Sequence, residues 1–354
     1  MASTRVIGLD IGSSGVRAAE LEFGSKGPAG TAAPTLLRFG QAPLPLGAVR
    51  DGEVAHPETV SGALRQIWSE ARFESKDVVI GVGNQRVLVR DLELPWMPLP
   101  QLRASLPFQV NDLLPMSTDE ALLDYFPTGD FDGPQGRMVR GMLVAAQRDT
   151  VTANVLAVEG AGLSPRMVDL NAFALVRALS RGELAGLTAA FVDIGASITT
   201  VVVAAQGVPR LVRSIAAGGH NVTSAVASAL GVTAGEAEAV KREVGIGYAV
   251  DPSRAPAAEA VTTVVRALVE SIRNTFVYYS GTNQRAGIDV AVLTGGGAQL
   301  PGLGQYISSA TRLPVNLGDP LGGLHMGKHV ARPLLAGQES LVAMSVGLAY
   351  GVAA

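Results

Sequence analysis

Val6-Ile7-Gly8-Leu9-Asp10-Ile11-Gly12-Ser13-Ser14-Gly15-Val16-Arg17 decides the fold of this chain. Its first half is an apolar run without helical period that ends on a carboxylate, the pattern of a short buried strand. Two serines between glycines then make a tight turn, and a second strand carries Arg17 near its start. Such a hairpin clusters backbone N–H groups and hydroxyls at its tip, which suits a phosphate. An aspartate placed like Asp10 serves either as a cap of the turn or as an oxygen ligand for a hard cation.

The pattern returns far downstream as Ala189-Ala190-Phe191-Val192-Asp193-Ile194-Gly195-Ala196-Ser197-Ile198-Thr199-Thr200, followed by β-branched residues. A repeat at so long an interval implies a duplicated lobe, because solenoid repeats have periods of roughly 20–50 residues. A third glycine-rich turn, Thr294-Gly295-Gly296-Gly297, follows the apolar run ending at Leu293 and has no acid before it. Two lobes facing each other would bring the first two turns together. Asp10 and Asp193 would then flank one Mg²⁺, both turns would hold a triphosphate, and the third turn would lie against a neutral adenosine. Glu238 and Lys241, three apart on one helix face, would grip ribose hydroxyls or form a solvated ion pair.

The remaining sequence fits a large α/β protein. Its 354 residues allow two or three domains, and 47% of them are hydrophobic without any run long enough to span a bilayer. No signal peptide is expected at the N-terminus. The absence of cysteine excludes disulfides and thiolate metal sites and fits a reducing, cytoplasmic setting. A net charge of −3 argues against general nucleic-acid binding. His220, His325 and His329 lack metal-ligand spacing and read as structural or surface residues.

In chain order, turns are expected at 24–30 and 43–47, a helix over 57–73, and a strand over 78–82 with 86–94 as its neighbour. Prolines then crowd around a helix over 99–114, broken at Pro107. Paired strands at 122–126 and 138–146 flank a polar loop, and a helix over 149–159 takes Asp149 as N-cap. Residues 84–162 thus read as an inserted α+β module. A strand over 165–170 and a helix over 171–179 lead to the second lobe. There Thr233 and Glu236 form a capping box, 252–256 is a loop, 262–279 is an amphipathic helix, and 340–350 is the last helix. The domains drawn from this are 1–83 plus 163–187 for lobe one, 84–162 for the module and 188–354 for lobe two.

In combination the motifs resemble the actin-like ATPase superfamily. The two phosphate turns, the adenosine turn Leu293-Thr294-Gly295-Gly296-Gly297-Ala298 and the helix with Ala237-Glu238 and Lys241 match in order. The insertion resembles the strand-helix-strand-strand module of FtsA-type members. Leu123-Asp124-Tyr125, the run 235–243 and Ser345-Val346-Gly347-Leu348-Ala349 further resemble the PilM family of type IV pilus assembly proteins. The implied fold is a duplicated actin-like (ribonuclease-H-like) two-lobed α/β fold with an inserted α+β module. The resemblance implies phosphate contacts from Gly12, Ser13, Ser14 and Arg17, and from Gly195, Ala196, Ser197 and Thr199. It places Asp10 and Asp193 at Mg²⁺, Gly295, Gly296 and Gly297 at adenosine, Glu238 and Lys241 across that pocket, and Gly218 and Gly219 beside the nucleotide. Asp169, ending the strand before the connecting helix, is the expected water-positioning catalytic residue. Ala196 stands where many relatives have an acid or glycine, which leaves weak ATPase activity at most.

The resemblance further implies an ATP-binding cytoplasmic scaffold of a pilus, or related secretion, assembly platform. It would capture the cytoplasmic N-terminal tail of a PilN-like inner-membrane protein and is capable of self-association. FtsA-like proteins end in a lipid-binding helix, whereas this sequence runs out at Gly351-Val352-Ala353-Ala354, so a partner would supply the membrane contact. The competing readings are a small-molecule kinase with Asn111-Asp112 supplying the base, a filament-forming FtsA-like ATPase, and a scaffold that does not bind nucleotide.

Overall fold

The computed structural model describes all residues except 1–2, 25–26, 28–31, 135, 248–250, 283–286, 331–332, 334 and 352–354. Most of the turn expected at 24–30, and the end of the chain beyond Gly351, lie outside the described residues.

Lobe one opens with a meander, β1 (Thr4–Ile11), β2 (Gly15–Phe23) and β3 (Thr35–Pro43), each antiparallel to the next. A small hairpin, β4 (Val49–Arg50) and β5 (Glu53–Val54), leads into α1 (Pro57–Ala71) and then β6 (Asp77–Val82), which lies parallel to β1. The α1 face of Val60, Leu64 and Ile67 is fully buried on the sheet, as its 3.6-residue spacing requires. The strand 35–43 went unseen in the sequence because its polar positions, Arg38 and Gln41, break the apolar run.

The inserted module comprises β7 (Val87–Pro95), α2 (Leu99–Gln109), β8 (Ala121–Gly133) and β9 (Gly136–Gln147). Two expectations are corrected here. β7 pairs with β9 in the module's own sheet and not with β6. The polar stretch taken for a loop is strand, since β8 and β9 pair down to Gly133 and Gly136. Pro107 sits inside α2, near its C-terminal end, without breaking it. Leu94, Leu102, Leu106, Val110, Tyr125, Val139 and Leu143 form a separate core between α2 and this sheet.

The chain re-enters lobe one through α3 (Arg148–Gly160). Its N-cap position is Gln147, and Asp149 lies in the first turn and makes no capping bond. α3 packs on α1, with Ala157 and Val158 in the same core as Val60 and Leu64, and Ser61 Oγ donates to the Ala157 carbonyl at 2.7 Å. This helix therefore belongs to the body of lobe one, although the limits 84–162 placed it in the module. β10 (Ser164–Leu170) extends the sheet parallel to β6, and α4 (Asn171–Leu179) crosses to lobe two.

Lobe two repeats the plan. β11 (Thr188–Ile194), β12 (Thr199–Ala205) and β13 (Val208–Ile215) form a second antiparallel meander. α5 (Gly219–Leu230), α6 (Ala234–Val244) and α7 (Ala255–Thr282) follow, and α7 begins inside the stretch read as a loop at 252–256. β14 (Val290–Thr294), α8 (Leu303–Thr311) and β15 (Val315–Leu317) complete the sheet, with β14 parallel to β11 and β15 parallel to β14. The sheet orders are β10-β6-β1-β2-β3 in one lobe and β15-β14-β11-β12-β13 in the other, so the sequence repeat is a repeat of topology.

The C-terminal segment then leaves lobe two. β16 (His325–Met326) adds to β3, and α9 (Ala343–Ala349) lies between α4, β1 and β2. β16 and α9 therefore pack in lobe one, although the limits 188–354 placed them in lobe two, while Gly337 and Ser340 between them bond to Gln299 and Gly295 of lobe two. The backbones meet so closely that a Cβ on Gly8 would lie 2.0 Å from the Ser345 carbonyl oxygen, and one on Gly347 2.0 Å from that of Ala174. A single buried cluster runs from Leu21, Leu36 and Val79 through α4 and α9 to Phe191, Val202 and Val292.

Candidate nucleotide-binding site

Between the lobes lies a cleft of about 500 Å³. Its walls are the two hairpin turns, which are built alike: Gly12 N–H donates to the Gly15 carbonyl at 3.0 Å, and Gly195 N–H to the Ile198 carbonyl at 2.9 Å. Asp10 pairs across its hairpin with Arg17, as Asp193 does with Thr200. Both carboxylates face the cleft. Burial pushes the Asp10 carboxyl up to about 6, with Arg17 opposing the shift and Asp193 adding to it. Burial also raises Asp193, against the Thr294 hydroxyl, which donates to Oδ1 at 3.0 Å, and against Arg17. Two desolvated carboxylates, the charge of Asp10 further disfavoured by Asp193, are a place where a cation fits.

Gly12, Ser13, Ser14 and Arg17 line the cleft from lobe one, and Gly195, Ala196 and Ser197 line it from lobe two. Arg17 Nη1 stands 3.9 Å from Asp10 Oδ2, while its buried Nε has no partner among the described residues. Thr199, expected at the phosphates, is turned away: fully buried, its hydroxyl donates to the Ala217 carbonyl at 2.7 Å and so fixes the approach to α5. The start of α5 docks on the second turn, with Gly219 N–H on the Gly195 carbonyl at 2.9 Å and His220 N–H on the Ala196 carbonyl at 2.7 Å. His220, read as structural, is also part of the cleft wall.

Glu238 and Lys241 face each other on α6. Lys241 Nζ donates to Glu238 Oε2 at 2.6 Å, to Thr223 Oγ1 at 3.0 Å and to the Gly219 carbonyl at 3.2 Å. Burial acts against the charged Glu238, but Lys241, Thr223 and Arg242 outweigh it and hold the carboxyl below its ordinary range. These two residues adjoin a second cavity of about 160 Å³, lined with Gly218, Gly219, Val265, Leu268, Gly296, Gly297 and Leu300. Apolar side chains and bare glycine backbone make it a slot for a flat ring. Gly295, Gly296 and Gly297 also line the main cleft, so the third turn joins the two cavities.

Asp169 is not in the cleft. Its carboxylate is buried in an ion pair with Arg177 and accepts the Leu170 N–H at 2.7 Å. The cleft instead receives Asn171, the first residue of α4, and Asn154 from α3; each has a buried Oδ1 without a partner among the described residues. Reasoning from sequence missed both. The available signal was Gly81 and Gly83 on and just after the neighbouring strand β6, which leave room for Asn171: a Cβ on Gly83 would lie 2.8 Å from Asn171 Cβ. Asp112 is exposed, outside the cleft, and accepts from Asn111 Nδ2 at 3.2 Å, which removes the expected kinase base. Among the described residues no group of three or more His, Cys, Asp or Glu is placed to hold a metal; of the acidic side chains lining the cleft, Glu238 is engaged by Lys241 and Arg242, and Asp10 and Asp193 are the other two.

The family model described as "Type IV pilus assembly protein PilM" matches residues 8–351. The chain belongs to the PilM family. A solved structure of a "PilM-PilN type IV pilus biogenesis complex" superposes with a TM-score of 0.82 at 25% identity, over 97% of both chains. EutJ from Carboxydothermus hydrogenoformans shares the fold at a TM-score of 0.57 and 15% identity, over 99% of this chain and 90% of that one. MreB5 of Spiroplasma citri, solved with ADP, does so at 0.52 and 14%, over 97% and 94%. Among curated sequences, the cell division protein FtsA of Rhizobium meliloti (strain 1021) is 28% identical over 58% of this chain and 54% of its own length. That of Agrobacterium fabrum is 29% identical over the same shares. The chain thus spans about half the length of the curated relatives it matches. This PilM-family chain has the two-lobed actin-like fold, and among its described residues no helix is long and apolar enough to cross a membrane.

Proposed function

We propose that this chain is an ATP-binding, actin-like scaffold of the type IV pilus assembly platform that docks the N-terminal tail of a PilN-like inner-membrane protein. The carrying observation is the presentation of Asp10 and Asp193, both raised by burial and Asp10 further by Asp193, to one cleft beside an Arg17 Nε without a partner among the described residues. Arg17 and the N–H groups of the two turns would hold phosphates. The adjoining apolar slot suits adenine, with Glu238 and Lys241 beside the ribose.

Asp10 and Asp193 fit Mg²⁺ by donor chemistry and by their need for positive charge. Bound there with ATP, the ion would supply neutralisation of phosphate charge. Asn171 and Asn154 can orient a water but cannot take its proton, because a carboxamide has no basic site. Weak turnover at most is the consequence, and the chain's work is then binding. The PilN reading rests on family membership and on the likeness of this chain to the PilM-PilN complex that superposes on it, and it supports a cytoplasmic location beside the inner membrane. Titration calorimetry with Mg-ATP, and separately with a synthetic tail peptide of a PilN-like protein from the same genome, tests both parts. Binding of each at one site per chain is expected. Failure of ATP to bind would overturn the nucleotide reading, and failure of the peptide would overturn the docking reading.

A further inference from the structure

The hairpin β4–β5 turns at Asp51 and Gly52, with φ of 50° and 77°. Positive φ at both central residues is the two-residue turn whose twist matches paired strands, and Asp-Gly favours it. The tip of the hairpin reaches the opposite lobe. A Cβ on Gly52 would lie 2.7 Å from Ile198 Cδ1 and 2.8 Å from Asn84 Cβ. Ile198 belongs to the second phosphate turn, where its carbonyl accepts the Gly195 N–H.

The next residue ties this tip to the module. Glu53 Oε1 accepts from Thr150 Oγ1 at 2.5 Å and Asn84 Nδ2 at 3.3 Å, and Arg86 Nε lies 3.2 Å away. Asn84 and Arg86 stand where the chain leaves lobe one for β7, and Thr150 where it returns in α3. Both crossings into the module therefore meet at one carboxylate. Asn84 reinforces the first crossing, accepting the Arg86 N–H on Oδ1 at 2.9 Å. On the module's other flank β7 packs against β13, above a small void of about 20 Å³ lined by Val87, Val89 and Val212.

We propose that the Asp51-Gly52 hairpin is a lever that transmits the state of the second phosphate turn to the inserted module. A phosphate held at Gly195, Ala196 and Ser197 fixes that turn and with it Ile198. Gly52 has no side chain to absorb a displacement, so Ile198 moves the hairpin tip directly. Glu53 passes the motion to both crossings at once, which turns the module as a body, with the void beneath β7 giving it room. The inference rests on the nucleotide reading above.

The sequence contains no cysteine, so two introduced labels report a single distance. Ser69→Cys on α1 and Ala104→Cys on α2, both exposed, carry spin labels for distance measurement by electron paramagnetic resonance. Mg-ATP at saturation, verified by titration of the same labelled protein, is expected to shift the distance by about 2 Å, the scale of packed-element shifts. Glu53→Ala should abolish the shift while leaving ATP affinity unchanged, and Ile198→Ala, at the other end of the lever, should abolish it too. A distance that does not move with ATP bound overturns the lever alone, as does a shift that survives both substitutions. Absence of ATP binding in the titration overturns the nucleotide reading and the lever with it.

Discussion

Asp10 and Asp193 reach one cleft from two hairpins built alike, and neither is at ease there without a cation. The Asp10 carboxyl, 16% exposed, is raised to about 6, burial being the largest cause. A carboxyl whose folded value lies above its unfolded value binds more protons in the folded state. Its contribution to stability is complete below about pH 4 and is lost as the pH rises through about 6. At neutral pH that loss is of the order of 3 kcal/mol, at roughly 1.4 kcal/mol per unit. Asp10→Asn is therefore expected to raise the melting temperature of the nucleotide-free protein at about pH 7.5 and flatten its stability between about pH 4 and 7. The same change removes the proposed cation ligand, so the stabilisation by Mg-ATP should shrink. Thermal melts across pH, with and without Mg-ATP, read both effects. A nucleotide-free variant less stable than its parent at neutral pH would refute this role for Asp10.

At the scale of elements, the turn between β11 and β12, proposed to hold phosphate, is held by the first two N–H groups of α5. Their approach depends on Gly218, where a Cβ would lie 2.4 Å from the Gly195 carbonyl oxygen. Gly218→Ala must push α5 away and break both bonds to the turn. We expect a loss of about 1–3 kcal/mol in stability, the usual range for overpacking, and at least about tenfold weaker ATP binding. Gly62→Ala on α1, where a Cβ meets nothing within 4 Å, should instead stabilise by about 0.5–1 kcal/mol. Urea unfolding and ATP titration on the two variants decide it; equal behaviour would mean that the contact between α5 and the turn does not matter. The two glycine-turn hairpins were legible in the sequence because a buried strand, a glycine turn and a second strand are local, and their repetition excluded chance. Asp169 was misread for the opposite reason. A carboxylate was chosen by type at the end of a strand, while its fate depended on Arg177, on the following helix and invisible as a partner. Asn171, two residues on, faces the cleft only because β6 and the residue after it present Gly81 and Gly83 there, a fact of sheet order rather than of spacing.

The whole molecule extends the same lesson. The small-residue helix α9 reads alike in either lobe, and only contacts between the two ends of the chain, Gly8 with Ser345 among them, place it against β1. That return has an energetic consequence. A chain of 354 residues with two duplicated sheets invites separate unfolding of its lobes, since two-state behaviour is a property of smaller single domains. Here, however, α4 and α9 lie between the sheets, and one buried cluster joins Leu21 and Val79 of lobe one to Phe191, Val202 and Val292 of lobe two. Opening either sheet strips apolar surface from the other, so the lobes should open together. The inserted module has its own small core of seven buried residues. Its links to the rest, among them the Phe126–Phe173 ring contact at 4.9 Å, the bonds of Glu53 and the edge of the shared cluster reached by Val87 and Ala146, bury less apolar surface than joins the two lobes and should break first. Native-state hydrogen exchange followed by mass spectrometry separates such units by their opening free energies. Amides of β1 and β11 are expected to share one opening free energy, within about 0.5 kcal/mol, and those of β8 and β9 to open at a lower one. If β1 and β11 instead open at values more than about 2 kcal/mol apart, a factor of roughly thirty in population, the shared core does not couple the lobes, and the C-terminal return to lobe one serves local packing alone.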